Sequence, residues 1–183
     1  MKSAALTLVM LATLSAAAPA AEWTMVPEDS ELAFAAFYEG EEAPGKFDSF
    51  DAALSFVPAT GEGSLTVTVD LASVDMFSAD INAEIIKPEW LDAAGAREAV
   101  FESTRIEAAG DDTYAAHGTL TIKGFSRDVE VPFRWREDGD GAVLEGETTV
   151  DRTAFGIGMG EWEDGPIGTA IAVRYMVAFR PAE

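Results

Sequence analysis

Few residues in this 183-residue chain could do chemistry, and their spacing argues against most of it. There is no cysteine, which removes a thiol nucleophile, a disulfide framework and a thiolate zinc site together. His117, the only histidine, would have to serve any Ser–His–acid arrangement. It shares strand parity with Thr119 and Thr121, so an exposed strand histidine is expected. No Gly-x-Ser-x-Gly elbow, phosphate-binding loop or dinucleotide fingerprint occurs. Asp138-Gly-Asp-Gly141 comes nearest to a calcium loop. It lacks the further oxygen ligands and the closing glutamate, and reads as a turn rich in residues that accept positive φ. Carboxylate pairs suited to glycoside hydrolysis can be drawn almost anywhere among 33 acidic residues, and nothing singles out two of them. No metal, no cofactor and no enzymatic activity are expected.

The elements that would position any site are strands. In Gly118–Trp135, Leu120 and Ile122 alternate with Thr119, Thr121 and Lys123. After a turn containing Gly124, Val129, Val131, Phe133 and Trp135 alternate with Asp128, Glu130, Pro132 and Arg134. Period-two alternation on both sides of a glycine turn predicts a hairpin with one dry face. Pro132 cannot donate to a ladder and should sit at a bulge or an unpaired position.

Similar alternation recurs along the chain. Trp23 and Val26 suggest a short leading strand closed by Pro27–Asp29. Ser30–Tyr38 places Leu32, Phe34, Ala36 and Tyr38 on one face, and Glu39–Gly45 reads as an acidic turn. Lys46–Phe56 carries Phe47, Phe50, Leu54 and Phe56. Ser64–Leu71 presents Leu65, Val67, Val69 and Leu71, and 169–180 presents Ile171, Val173, Tyr175, Val177 and Phe179. In Phe101–Ala108, Phe101 and Ile106 disagree in parity, which a bulge would explain. Between Ser78 and Ala96 the spacing of Ile81, Ile85, Ile86, Trp90 and Leu91 turns helical, interrupted by Pro88; two short helical pieces across one end of the sheet are expected. Roughly eight antiparallel strands in one domain predict an all-β barrel or sandwich with a short helical insertion, and periodicity alone does not choose between them.

Lys2, an apolar run from Ala4 to Leu14 and the small-residue site Ala18-Pro19-Ala20 read as a secretory signal peptide over residues 1–21, leaving one domain over 22–183. Removing that segment takes away one lysine and no acid, so the net charge moves from −21 to −22. Such a surface disfavours nucleic acid and anionic membranes, and no stable membrane insertion is expected after cleavage. Export to the periplasm follows if the source is Gram-negative. Homodimerisation stays open.

The segment Val150-Asp-Arg-Thr-Ala-Phe-Gly-Ile-Gly-Met-Gly-Glu-Trp162 combines an Asp-Arg pair with three glycines spaced by two. Together with Gly118-x-Leu-Thr-Ile-x-Gly124, Phe101-x-Ser103, Ser30-x-x-x-Phe34, Gly45-x-Phe-x-x-Phe50, Ser73-Val74-Asp75 and Trp90-Leu91-Asp92, it resembles the YceI-like family of exported, lipocalin-like lipid-binding proteins. The succession covers nearly all of the mature chain. Arg97 stands where the family commonly has proline, and Ala96 where it commonly has an aromatic residue. The resemblance implies an eight-stranded antiparallel barrel holding a polyisoprenoid, an isoprenoid quinone or a similar amphiphile, without catalysis. On that reading the chain of the ligand lies among Phe34, Phe50, Phe56, Val67, Leu120, Ile122, Phe133, Trp135 and Tyr175, each of which could instead be plain core. Ile81–Leu91 or the glycine-rich loop Phe155–Trp162 would gate entry. The competing reading is an acidic stress or interaction module that docks a basic redox partner.

Overall fold

The computed structural model describes residues 21–163 and 165–182. The expected signal segment lies, apart from Ala21, outside the described residues. Eleven strands form the wall: β1 (Ala21–Met25), β2 (Glu31–Tyr38), β3 (Glu41–Phe47), β4 (Phe50–Val57), β5 (Glu62–Asp70), β6 (Val74–Asp75), β7 (Glu98–Gly110), β8 (Thr113–Ile122), β9 (Phe125–Asp138), β10 (Gly141–Asp151) and β11 (Ala170–Pro181).

Three of the wall positions are single strands broken in two. β1 and β2 both pair with β11, at residues 179–181 and 172–176 respectively, and a 3-10 turn over Pro27–Asp29 separates them. β3 and β4 are likewise split at Asp48-Ser49, and β5 and β6 by a 3-10 turn over Leu71–Ser73. The ladder runs β1–β4–β5–β7–β8–β9–β10–β11 and returns to β1, which closes an eight-stranded antiparallel barrel. Closure gives every strand of this ring a paired neighbour on each side, although β9 and β10 pair with each other over only part of their length.

Local chemistry explains the turns. Lys123 (φ 52°) and Gly124 (φ 78°) form the two-residue connection of the β8–β9 hairpin, with both central residues left-handed as a type I′ turn requires. In β7 the register with β8 slips between Ser103 and Arg105, so that both Phe101 and Ile106 point inward and are buried. Pro132 pairs with Ala115 of β8 and lies just past the point where β9 stops pairing with β10, a position that needs no N–H.

Two expectations change. Only Glu39 and Gly40 form the turn after β2, and the acidic stretch that follows is strand β3. The insertion has one helix, α1 (Ala79–Ile85), and Trp90 and Leu91 sit in consecutive turns. Pro88 pushes Lys87 away from helical geometry, and Asp92 adopts a positive φ of 50°. Arg97 takes φ 57°, which proline cannot reach, so this loop follows a path of its own. Among the described residues no helix is long and apolar enough to cross a membrane.

Candidate functional site

The barrel interior is divided along its axis. In one half, Met25, Leu54, Phe56, Ile106, Tyr114, Ala116, Phe133, Trp135 and Ala142 pack into a solid plug. Phe56 lies edge-on to Tyr114, Phe133 and Trp135, with ring centroids 4.9, 5.8 and 5.3 Å away. The Trp135 indole N–H is buried there without a hydrogen-bond partner. Filled interiors of this kind are usual in small barrels.

The other half holds a cavity of about 250 Å³ that is open over part of its surface. Its wall draws on every position of the barrel: Leu32 and Phe34 from β2, Phe47 from β3, Phe50 from β4, Val67 and Val69 from β5, Phe101 from β7, Leu120 and Ile122 from β8, Val129 and Val131 from β9, Val150 from β10, and Val173 and Tyr175 from β11. Met76, Ile85, Trp90, Leu91 and Ile157 line one end of it from the insertion and the glycine-rich loop. The lining is almost wholly apolar. Among the described residues no three His, Asp or Glu side chains converge as a metal site would require.

The cap over that end is held by two cations. Arg152, only 2% exposed, directs all five of its N–H donors at main-chain oxygens. Nε reaches Gly168 O at 3.0 Å, Nη1 reaches Ile157 O at 2.8 Å and Gly158 O at 2.7 Å, and Nη2 reaches Trp162 O and Ile167 O at 3.0 Å each. The planar guanidinium fork thereby winds the glycine-rich loop around itself. Gly158 (φ 61°) passes so close to Trp90 that a Cβ would stand 2.5 Å from the indole ring, and its N–H donates to Glu89 O at 2.8 Å. Trp90 in turn packs on Trp162, centroids 5.6 Å apart. Lys123, at the β8–β9 turn, donates to Pro88 O and Gly156 O at 2.9 and 2.8 Å, tying both loops to the hairpin. Burial holds the Lys123 ammonium below its ordinary pKa, opposed by Asp92 and Glu89.

Tyr175 is one of three polar residues in the lining, with Thr148 and Arg152. Its ring crosses Gly146 of β10, where a Cβ would come within 2.8 Å of Cε2, and its hydroxyl donates to Pro132 O of β9. Burial, then the nearby Glu147 carboxylate, pushes its pKa well above the ordinary tyrosine value. The folded state therefore keeps a proton that the unfolded chain releases near pH ~10. Stability contributed by Tyr175 should be complete below that pH and decline as pH rises beyond it. Thermal melts from pH 9 to 11 should show a shallower decline for Tyr175→Phe than for the parent, with a remaining slope from Tyr114, whose pKa burial also raises.

Of the nine residues expected to meet a ligand, Phe34, Phe50, Val67, Leu120, Ile122 and Tyr175 line the cavity. Phe56, Phe133 and Trp135 do not: they face inward as their parity demands but lie in the plug. Both expected gating segments sit over the cavity end. His117 stays outside the barrel, 3.3 Å from Glu107 and 3.6 Å from Glu130. Sequence reasoning missed Arg152 and Lys123 as organisers of the cap; the Asp-Arg pair before the glycines was the available signal for the first.

Residues 23–179 match the family model of the YceI-like domain. A UPF0312 protein of Azotobacter vinelandii is 32% identical over 120 residues, which is 62% of this chain and 62% of that protein. A UPF0312 protein of Vibrio cholerae is 28% identical over 120 residues, 62% of this chain and 64% of its own. The chain thus spans 62% and 64% of the length of these curated relatives. Among solved structures, Burkholderia cenocepacia BcnA superposes with a TM-score of 0.82 at 29% identity, covering 84% of this chain and 98% of that one. A polyisoprenoid binding domain from Saccharophagus degradans, implicated in plant cell wall breakdown, shares the fold at a TM-score of 0.68 and 14% identity, over 87% of this chain and 98% of that one. Matched from Trp23 to Phe179 on a barrel of that same fold, the chain belongs to the YceI-like domain family.

Proposed function

We propose that this protein is a non-catalytic binder that holds the chain of a polyisoprenoid, an isoprenoid quinone or a similar amphiphilic lipid in the cavity half of its barrel. The cavity carries this reading: it is lined almost wholly by apolar side chains and roofed by loops that are tied together. Removing apolar ligand surface from water is worth about 25 cal/mol per Å², so affinity needs few polar contacts in such a space. The fold shared with a polyisoprenoid binding domain supports the same ligand class. Residues 1–21 would direct the chain out of the cytoplasm as a cleaved signal peptide, placing the carrier in the periplasm of a Gram-negative host. Phe34, Phe50, Val67, Leu120, Ile122 and Tyr175 would contact the ligand, with Phe56, Phe133 and Trp135 forming the floor beneath it.

The test is mass spectrometry of organic extracts from full-length protein expressed in a Gram-negative host and purified from the periplasm without detergent. One isoprenoid species near one per chain is the expected result, with an intact mass that begins near Ala21. Lipid-free protein that takes up no isoprenoid when one is offered would end this reading.

A further inference from the structure

Two seams of the barrel wall lack a full ladder: β5 and β7 pair only over 66–70 and 98–102, on the plug side, and the second seam runs along the cavity. β9 and β10 pair only from Asp138–Arg134 to Gly141–Glu145, although β9 runs back to Phe125 and β10 on to Asp151. By contrast, β8 stays paired with β9 from Thr113 to Ile122, and β11 with β10 from Ala170 to Phe179. The unpaired lengths border the cavity half of the barrel. Side chains, not a ladder, hold this seam. Tyr175 spans it at Pro132, and Thr148 Oγ1 donates to Glu130 O at 2.9 Å. Nearer the cap, the Phe125 ring stands against Gly156. Outside the seam lies a cleft lined by Asp128, Val129, Glu130, Pro132, Glu147, Thr148 and Thr149. Val129 and Thr148 line both the cleft and the cavity, so a single layer of side chains separates them.

The cavity needs a way in, and this seam supplies one. A long isoprenoid chain has to cross the wall or the cap to reach the apolar lining. Across the fully paired strands β8–β9 and β10–β11, spreading would break backbone ladders; at the seam it breaks two side-chain hydrogen bonds, each worth about 1 kcal/mol net.

We propose that the β9–β10 seam is a lateral portal through which an isoprenoid chain enters the cavity, leaving an uncharged, hydroxyl-type head group in the cleft outside. This rests on the lipid-binding reading above. The cleft offers carboxylate and hydroxyl acceptors from Asp128, Glu130, Glu147, Thr148 and Thr149. The nearby cations are already engaged, Arg174 by one carboxylate of the cleft itself, which leaves Asp128 and Glu130 in excess. Arg174 pairs with Glu147 at 2.7 Å and Glu42 at 3.0 Å, and Arg127 sits over the Phe125 ring and donates to Ser126 O. A phosphorylated or carboxylate head would meet net negative charge there.

Because the chain lacks cysteine, Glu130→Cys/Thr149→Cys can be tied across the seam with a reducible bis-maleimide. Uptake of all-trans-retinol, a fluorescent isoprenoid alcohol, then reports entry. The tied protein should load at least tenfold more slowly than the untied one and recover on reduction; Tyr175→Phe, which loses one latch, should load faster than the parent. A loading rate unchanged by the tie, with retinol still bound at equilibrium, overturns the portal while leaving the lipid-binding reading intact. No retinol uptake by the parent chain overturns both. Retinoic acid, the same skeleton with an anionic head, should bind at least tenfold more weakly at low salt, and the gap should narrow in D128N/E130Q/E147Q. Equal affinity for the two ligands in the parent overturns the placement of the head group.

Discussion

Replacing Arg152 with alanine should destabilise the protein by roughly 3–5 kcal/mol and loosen the capped end before the barrel itself. The guanidinium satisfies five main-chain oxygens spread from Ile157 to Gly168. Hydrogen bonds to a charged donor contribute about 1.5–3 kcal/mol each, and acceptors left unsatisfied cost about 1–3 kcal/mol. Water can reach some of these oxygens once the loop moves, which brings the sum down to the figure given. For a domain of this size the melting temperature should fall by on the order of 10 °C. Arg152→Lys should rescue little, because an ammonium offers three donors from one point where the loop requires a planar fork. Hydrogen exchange would locate the effect: faster exchange at the amides of Gly156, Ile157 and Gly158, which donate to Thr153 O, Arg152 O and Glu89 O, with the plug still protected. Melting temperatures within about 2 °C of each other for parent and alanine variant would mean that the loop is held by something else.

The second large effect concerns binding. Val67→Trp and Ile122→Trp each place an indole inside the cavity half, on β5 and β8. An indole that displaces about four methylene groups of ligand removes about 3 kcal/mol of transfer energy at ~0.8 kcal/mol per methylene. Affinity for an isoprenoid should drop about a hundredfold, with β-sheet content unchanged. Phe133→Ala provides the contrast. It hollows the plug, where Phe133 is 3% exposed, and should cost about 3–5 kcal/mol of stability while affinity changes far less. Equal binding by the two tryptophan variants and the parent would show that the ligand lies elsewhere; loss of binding in Phe133→Ala at a temperature where it remains folded would show that the plug takes part.

The same contrast marks where sequence reasoning runs out. Phe133 and Val131 are neighbours on one face of β9, and nothing in an alternating pattern tells them apart. Period-two spacing assigns a side chain to the inside or outside of a barrel. Its height along the axis follows from strand stagger and closure, which depend on how eight strands register against each other. Phe56, Phe133 and Trp135 therefore carry the same sequence signal as Phe34 and Val67, and they differ only in the half of the barrel into which they fall. The bulge in β7 was legible because Phe101 and Ile106, both large and apolar, sit at spacing no regular strand can bury on one face. The missing ladder between β9 and β10 was not. Both strands alternate well there, and only Pro132 hints that a donor is not needed on one side.

Arg152 shows the limit from the other direction. Next to a run of glycines it can be singled out as unusual, but its partners are carbonyl oxygens, which every residue carries, so no spacing of side-chain types could identify them. The amino-acid sequence alone determined that this chain is a strand-built domain with a helical insertion, no thiol chemistry and a dry face on each strand, because alternation, turn residues and composition are local properties. Where the cavity ends and the plug begins, how one cation gathers the cap, and which seam lacks a ladder were decided only in the tertiary structure. Each depends on strands far apart in the chain being brought to a particular register by closure of the barrel.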